Sequence, residues 1–316
     1  MKILAVLLAV IAFVFLVLFF VTRYKAAEIS AQFPAFGSVT EIGGREIHFL
    51  DVTEGDNADL PPLLFVHGAS GNLRDQAVAF QKPLEGRARM IFVDRPGHGW
   101  SERGPEEANT PEGHGAVYAE LLDDIGIESA VVVCHSMGCA SAIAMALNHP
   151  EKVRGLVFLA PATHRWPGGV TWYYEVTALP VVGWLFSETL SLPAGLARLE
   201  SGARSVFDPS EMPDDYVDAT GIALVLRPEQ FRNNARDVTT LKSEVTRMQP
   251  RYSQIKKPTV IITGNKDDVV LPDIHSVGLE RDIEGAELIV LDGVGHKPDY
   301  AATRVAIEAI EKVSRR

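Results

Sequence analysis

The chain has 316 residues, 47% of them hydrophobic, enough for one large α/β domain or two ordinary ones. Its formal net charge of -11, with no basic run to offset it, excludes nucleic acid as a natural partner, because phosphates demand a basic face. The two cysteines, Cys134 and Cys139, belong to no CxxC or Cys/His cluster. They give no metal site and read as two small buried residues, with a redox pair as the alternative.

The N-terminus is a single apolar run, Ile3 to Val21, without charge, Pro or Gly. At 1.5 Å per residue it is roughly 28 Å long, close to the ~30 Å hydrocarbon core of a bilayer. A cleaved signal has an apolar region of about 7–15 residues and a small-x-small cleavage site. Here Lys25 occupies the -3 position of a cut after Ala27, so residues 1–24 read as an uncleaved, single-pass membrane anchor. Lys2 flanks one end and Arg23 with Lys25 the other, a small asymmetry that leans toward a cytoplasmic catalytic domain without fixing the side.

After the anchor, residues 37–53 read as two strands around Gly43-Gly44, a hairpin turn that needs positive φ. Short β-rich runs follow at 62–66, 89–94, 130–134, 153–160, 258–264 and 286–292. Several are apolar nearly throughout, as in strands buried on both faces of a parallel sheet. Helical patterns alternate with them at 72–84, 111–125, 137–148, 273–282 and 299–313. That alternation predicts a mostly parallel, doubly wound α/β sheet with ligand chemistry at the carboxyl ends of its strands. The interval 161–255 breaks the rhythm. It is rich in Pro and aromatics, then mainly helical, and reads as a cap inserted between two strands.

Five successive strand ends carry polar, Gly-rich turns: "HGASGN" from His67, "DRPGHGWSER" from Asp94, "CHSMGC" from Cys134, "NKDDVVLP" from Asn265 and "GVGHKPDY" from Gly293. Taken singly, Ser136 could cap a helix and Asp267 could serve a turn. A lone His after a strand is ordinarily structural. A Ser, an Asp and a His on three separate strand ends, with a Gly-bearing donor loop on a fourth, read together as nucleophilic machinery.

At these residues the chain resembles the α/β-hydrolase family, over about 37–160 and 256–313, with 161–255 matching only in position. The resemblance implies an α/β-hydrolase fold with a core of 37–160 and 256–316, a helical cap of 161–255 and the N-terminal transmembrane helix. It implies Ser136 as the nucleophile of a strand-turn-helix elbow, His296 as its base and Asp267 as the acid that orients the imidazole. Backbone N–H groups of Ala69 and Met137 would form the oxyanion hole. Cys134 stands where the family's first elbow Gly is usual, and Cys is among the smaller replacements. No cofactor and no metal are implied.

Nearby competitors are His135, His67, His98 and His275 for the base and Asp268 for the acid, while Asp94 next to Arg95 reads as a structural ion pair. The aromatics Trp166, Trp172, Tyr173, Tyr174, Trp184 and Phe186 read equally as an acyl pocket or as cap core. A Ser nucleophile implies an acyl-enzyme, so the expected partner is a small-molecule carboxylic ester. The layout resembles membrane-anchored monoacylglycerol lipases, which points to lipophilic esters at a membrane. Amide, thioester and C–C bond hydrolases, cofactor-free haloperoxidases and a non-catalytic membrane-tethered binding protein are the alternatives. Oligomeric state is left open.

Overall fold

The computed structural model describes residues 1–53, 55 and 58–315. Glu54, Asp56, Asn57 and Arg316, which the sequence reading assigns to the core, lie outside the described residues. The elements in order are α1 (Lys2–Gln32), β1 (Ser38–Ile42), β2 (Arg45–Val52), β3 (Leu63–Val66), α2 (Leu73–Phe80), β4 (Met90–Val93), α3 (Pro111–Asp124), β5 (Ala130–His135), α4 (Gly138–Asn148) and β6 (Val153–Leu159). There follow α5 (Trp172–Ala178), α6 (Pro180–Phe186), α7 (Leu192–Leu196), α8 (Leu199–Phe207), α9 (Tyr216–Thr220) and α10 (Pro228–Met248). The chain closes with β7 (Thr259–Gly264), α11 (Pro272–Asp282), β8 (Glu287–Leu291), α12 (Pro298–Ala301) and α13 (Thr303–Ser314).

The eight strands form one sheet in the order β1-β2-β4-β3-β5-β6-β7-β8. β1–β2 and β2–β4 pair antiparallel and the rest are parallel. The β1–β2 turn is Gly43-Gly44 at φ 56° and 75°, as the hairpin reading requires. Alternate residues of the apolar strands serve opposite faces. Leu64, Val66, Ile91, Val132 and Phe158 pack with Tyr118, Leu122, Ile143 and Leu279. Leu63, Phe65, Phe92, Val133 and Leu159 pack with Phe80, Ile310 and Val313. Covering both faces explains why these strands are apolar throughout.

From β3 the chain turns to β4 on one side and then crosses to β5 on the other, so the direction of winding reverses beside β3. The crevice at such a reversal is where doubly wound sheets hold ligands. Ser136 follows β5 and the His67–Asn72 loop follows β3, on either side of it.

Helix α1 is longer than the anchor reading of 1–24. Its apolar window has a mean hydropathy of 3.4 and buries nothing against the rest of the chain, and it is the only helix among the described residues long and apolar enough to cross a membrane. Its last turns dock on the cap. Thr22 is buried and donates to Thr189 O at 3.2 Å. Ile29 and Phe33 join a small core with Leu192 and Ala223 to Leu226. Trp100 Nε1 donates to Phe33 O at 3.1 Å. This packing extends the helix past the last apolar residue of the run, because Ile29 and Phe33 gain a buried face there.

Candidate active site

Strand β5 ends at His135, and the chain reverses sharply into α4 through Ser136, whose φ is +52°. A non-Gly residue there is strained and persists only where its surroundings hold it. Ser136 N–H donates to Leu159 O at 2.9 Å, and Ser136 O accepts from Cys139 and Ala162 N–H at 3.1 Å each. Close approach does the rest. A Cβ on Gly68 would fall 3.0 Å from Ser136 Cβ, and one on Gly138 would fall 2.3 Å from His67 O. The donor loop and the elbow can touch only because both positions are glycine.

The structure brings the three expected side chains together. His296 Nε2 lies 2.9 Å from Ser136 Oγ, and His296 Nδ1 lies 2.7 Å from Asp267 Oδ2. Asp267 also accepts from Val269 and Val270 N–H through Oδ1, at 3.0 and 2.8 Å. Its turn role and its place beside the imidazole are thus one arrangement, with one oxygen for each. All three residues are buried. Among the described residues, neither Ala69 N–H nor Met137 N–H has a hydrogen-bond partner, so both donors are uncommitted.

The competing histidines are committed elsewhere. His135 Nε2 donates to His296 O at 2.9 Å. His67 Nε2 accepts from Arg95 N–H at 3.0 Å and Nδ1 donates to Gly68 O. His98 lies against Arg95 and donates to Pro96 O. His275 Nδ1 accepts from Thr163 and His164 N–H. Burial, and then the Arg95 charge, push His67 down to about 4. Burial, and then His164, push His275 to about 4 as well. Asp268 is exposed.

Three expectations change. Asp94 does not pair with Arg95. It lies 2.7 Å from His48 Nδ1 and accepts from Leu73 and Trp100 N–H, whereas Arg95 Nη1 is 3.8 Å from Asp237 of α10. The strand end points the Asp94 carboxylate toward β2 and the helix start, away from the next side chain. Cys134 and Cys139 are not two unlinked buried residues. They form a disulfide across the elbow, Cα to Cα 5.0 Å, because the reversal from β5 into α4 brings residues five apart within bonding reach. The aromatics divide between roles. Trp172 and Trp184 face outward, Tyr174 OH lies 3.3 Å from Ser70 Oγ, and the Trp166 ring is tilted against His275, centroids 5.8 Å apart.

Sequence reading missed a buried ionic cluster behind His296. Lys297 Nζ donates to Asp75 Oδ1 and Oδ2 at 3.1 and 2.9 Å and lies 2.9 Å from Asp299 Oδ2. Tyr216 of the cap donates to Asp75 Oδ1 at 3.0 Å, and Tyr300 donates to Asp75 O at 2.6 Å. Burial would raise the Asp75 carboxyl, but Lys297, His135 and Tyr216 together hold it low, whereas burial wins at Asp299 and raises it. Asp75, His135 and Asp299 come within 4.8 Å of one another, a spacing that suits a metal ion. The Lys297 ammonium already supplies a cation to both carboxylates. "HKPDY" reads as a polar turn leading into a helix, and nothing in it tells that Asp75, 222 residues away, closes over it.

The family described as alpha/beta hydrolase fold matches residues 61–298. This chain belongs to that family. It is 28% identical over 255 residues to a 2-hydroxy-6-oxononadienedioate/2-hydroxy-6-oxononatrienedioate hydrolase of Burkholderia vietnamiensis, covering 79% of this chain and 84% of that one. It is 26% identical over 271 residues to Lipase 1 of Psychrobacter immobilis, covering 81% and 80%. A crystal structure of a membrane phospholipase A superposes with a TM-score of 0.68 at 21% identity, covering 99% of this chain and 97% of that one. At that identity the likeness speaks for the fold alone. The family and the fold agree with the resemblance read from the strand ends, and this alpha/beta hydrolase is an enzyme by kinship.

Proposed function

We propose that this hydrolase cleaves lipophilic carboxylic esters, acylglycerol-like ones among them, through an acyl-enzyme on Ser136. The observation that carries the reading is the unbroken relay from Ser136 Oγ through His296 to Asp267, beside two uncommitted backbone donors. His296 takes the Ser136 proton as Oγ attacks the acyl carbon and returns it to the departing alcohol. Asp267 stabilises the imidazolium formed in between. Ala69 and Met137 N–H receive the oxyanion, a role worth about 10²–10³ in rate per donor. Water then repeats the cycle and frees the acid.

The preference for lipophilic substrates rests on layout. The α1 helix is read as a membrane anchor, and its end is packed into the cap beside an outward apolar surface of Trp172, Leu179, Val181, Val182, Trp184 and Leu185. A cut after Ala27 would remove the segment holding Thr22, which supports retention of the helix. The disulfide at the elbow favours an oxidising compartment for the catalytic domain, against the small charge asymmetry at the helix ends. Alkylation of the unreduced protein should label neither cysteine.

A second reading is a C–C bond hydrolase, and the curated relatives favour it over the first. The Burkholderia vietnamiensis relative is named for a substrate with a ketone and two carboxylates but no ester, so its cleavage must fall at carbon. A dianionic substrate calls for cationic partners. Of the cations on the strand-end loops, Arg95 and Arg103 are paired with Asp237 and Lys297 with Asp75 and Asp299, whereas Lys266 is exposed. One panel decides between the readings: p-nitrophenyl esters of graded length, monoacylglycerol vesicles and a 6-oxo-dienedioate, all with the full-length protein. Turnover of the dienedioate alone selects the second reading. No turnover at all, with Ser136 unlabelled by a fluorophosphonate, removes both.

A further inference from the structure

The oxyanion loop is gripped from the cap. Ser70, immediately after the donor Ala69, has φ +58°, a conformation that a non-Gly residue keeps only when held. The hold comes from Asn234 in the middle of α10, which is completely buried. Asn234 Oδ1 accepts from Ser70 N–H at 2.8 Å and Nδ2 donates to Ser70 Oγ at 3.1 Å. Tyr174 of α5 lies 3.3 Å from the same hydroxyl. Two residues further along the loop, Asn72 Nδ2 donates to Thr220 O of α9 at 3.0 Å. Three cap helices therefore reach one short core loop. On its other side Gly68 presses the loop against Ser136.

We propose that Asn234 is a positioning residue that completes the oxyanion hole from the cap, so that Ala69 N–H takes its working direction only while α10 is seated. The inference rests on the reading of Ala69 and Met137 as oxyanion donors. Its physical basis is that Ser70 N–H and Oγ together fix the peptide following Ala69. Without them the strained φ relaxes and the loop swings away from Ser136. Donors aimed at the tetrahedral intermediate matter more there than in the ground state, so the loss falls on kcat rather than KM.

The test uses the full-length protein and a soluble p-nitrophenyl ester. Asn234→Leu should lower kcat about 10- to 100-fold, less than outright loss of a donor, with KM within about threefold. The Ki of a boronic acid, whose adduct carries the oxyanion, should rise by the same factor, while that of the product carboxylate stays fixed. Asn234→Asp keeps the acceptor for Ser70 N–H and should recover part of the loss; it also serves if the Leu variant does not fold. Ser70→Ala, which keeps the N–H contact, should cost less than either. A folded Asn234 variant with wild-type kcat and boronate Ki overturns the proposal, as does a change confined to KM. Those results leave an active, fluorophosphonate-labelled Ser136 untouched. An inert, unlabelled wild type would instead overturn the reading beneath it.

Discussion

The sheet and the cap dispose of their apolar residues in opposite directions. From β3 to β7 the strands bury nearly every side chain, and at their ends His67, Asp267 and His296 are hydrogen-bonded. Across α5 and α6 the cap turns Val181, at 78% exposure, and Trp172, at 63%, to the outside. A core that buries everything fixes atoms to a few tenths of an ångström, as a proton relay needs. A surface that spends apolar area on the outside is suited to meeting an apolar phase. On the proposed reading the division places chemistry in one region and delivery in the other, and Asn234 and Tyr216, which bond Ser70 and Asp75, are where the two regions join.

That division can be broken or sharpened at four points. The largest effect belongs to the relay. Asp267→Asn leaves the imidazole in the wrong tautomer and should lower kcat by about 10⁴, measured on any ester turned over, with the fold retained. Next comes the junction behind His296. Lys297→Met leaves Asp75 and Asp299 buried without their cation and should destabilise the core by about 3–5 kcal/mol in urea unfolding. A loss below 1 kcal/mol would show that the cluster is already wet.

The third point is pH. His67 and His275, held to about 4 by burial first, bind protons in the unfolded chain near 6.5 but not in the folded one. Between those values the unfolded state carries more protons, so stability is full above about pH 6.5 and falls as pH drops toward 4, by roughly 3 kcal/mol at most per residue. His275→Asn, whose amide oxygen replaces the Nδ1 acceptor, should flatten part of that slope in thermal melts at pH 7.5 and 5. The smallest effect concerns delivery. Trp172→Ser with Trp184→Ser should reduce turnover of monoacylglycerol vesicles about 3- to 10-fold while leaving a short soluble ester unchanged. Equal losses on both substrates would place those indoles in the site rather than on its approach.

The sequence alone determined the alternation of elements and the ends on which chemistry sits. Strand and helix periodicity are local, and so are the turn residues that follow each strand. That is why the hairpin at Gly43-Gly44, the helix starting at Pro111 and the elbow at Ser136 were all legible. It also supplied Ser136, Asp267 and His296, because polar turns at five of the strand ends form a pattern that no single residue carries. The tertiary structure decided what depends on distant segments meeting. Asp75 finds Lys297 across 222 residues, Asn234 finds Ser70 across 164, and Asp94 chooses His48 over its neighbour Arg95. Even the pairing of Cys134 with Cys139, five residues apart, needed the reversal at Ser136. Short-range pattern places a residue on an element. Only packing decides which way its side chain faces and which charge it finds there.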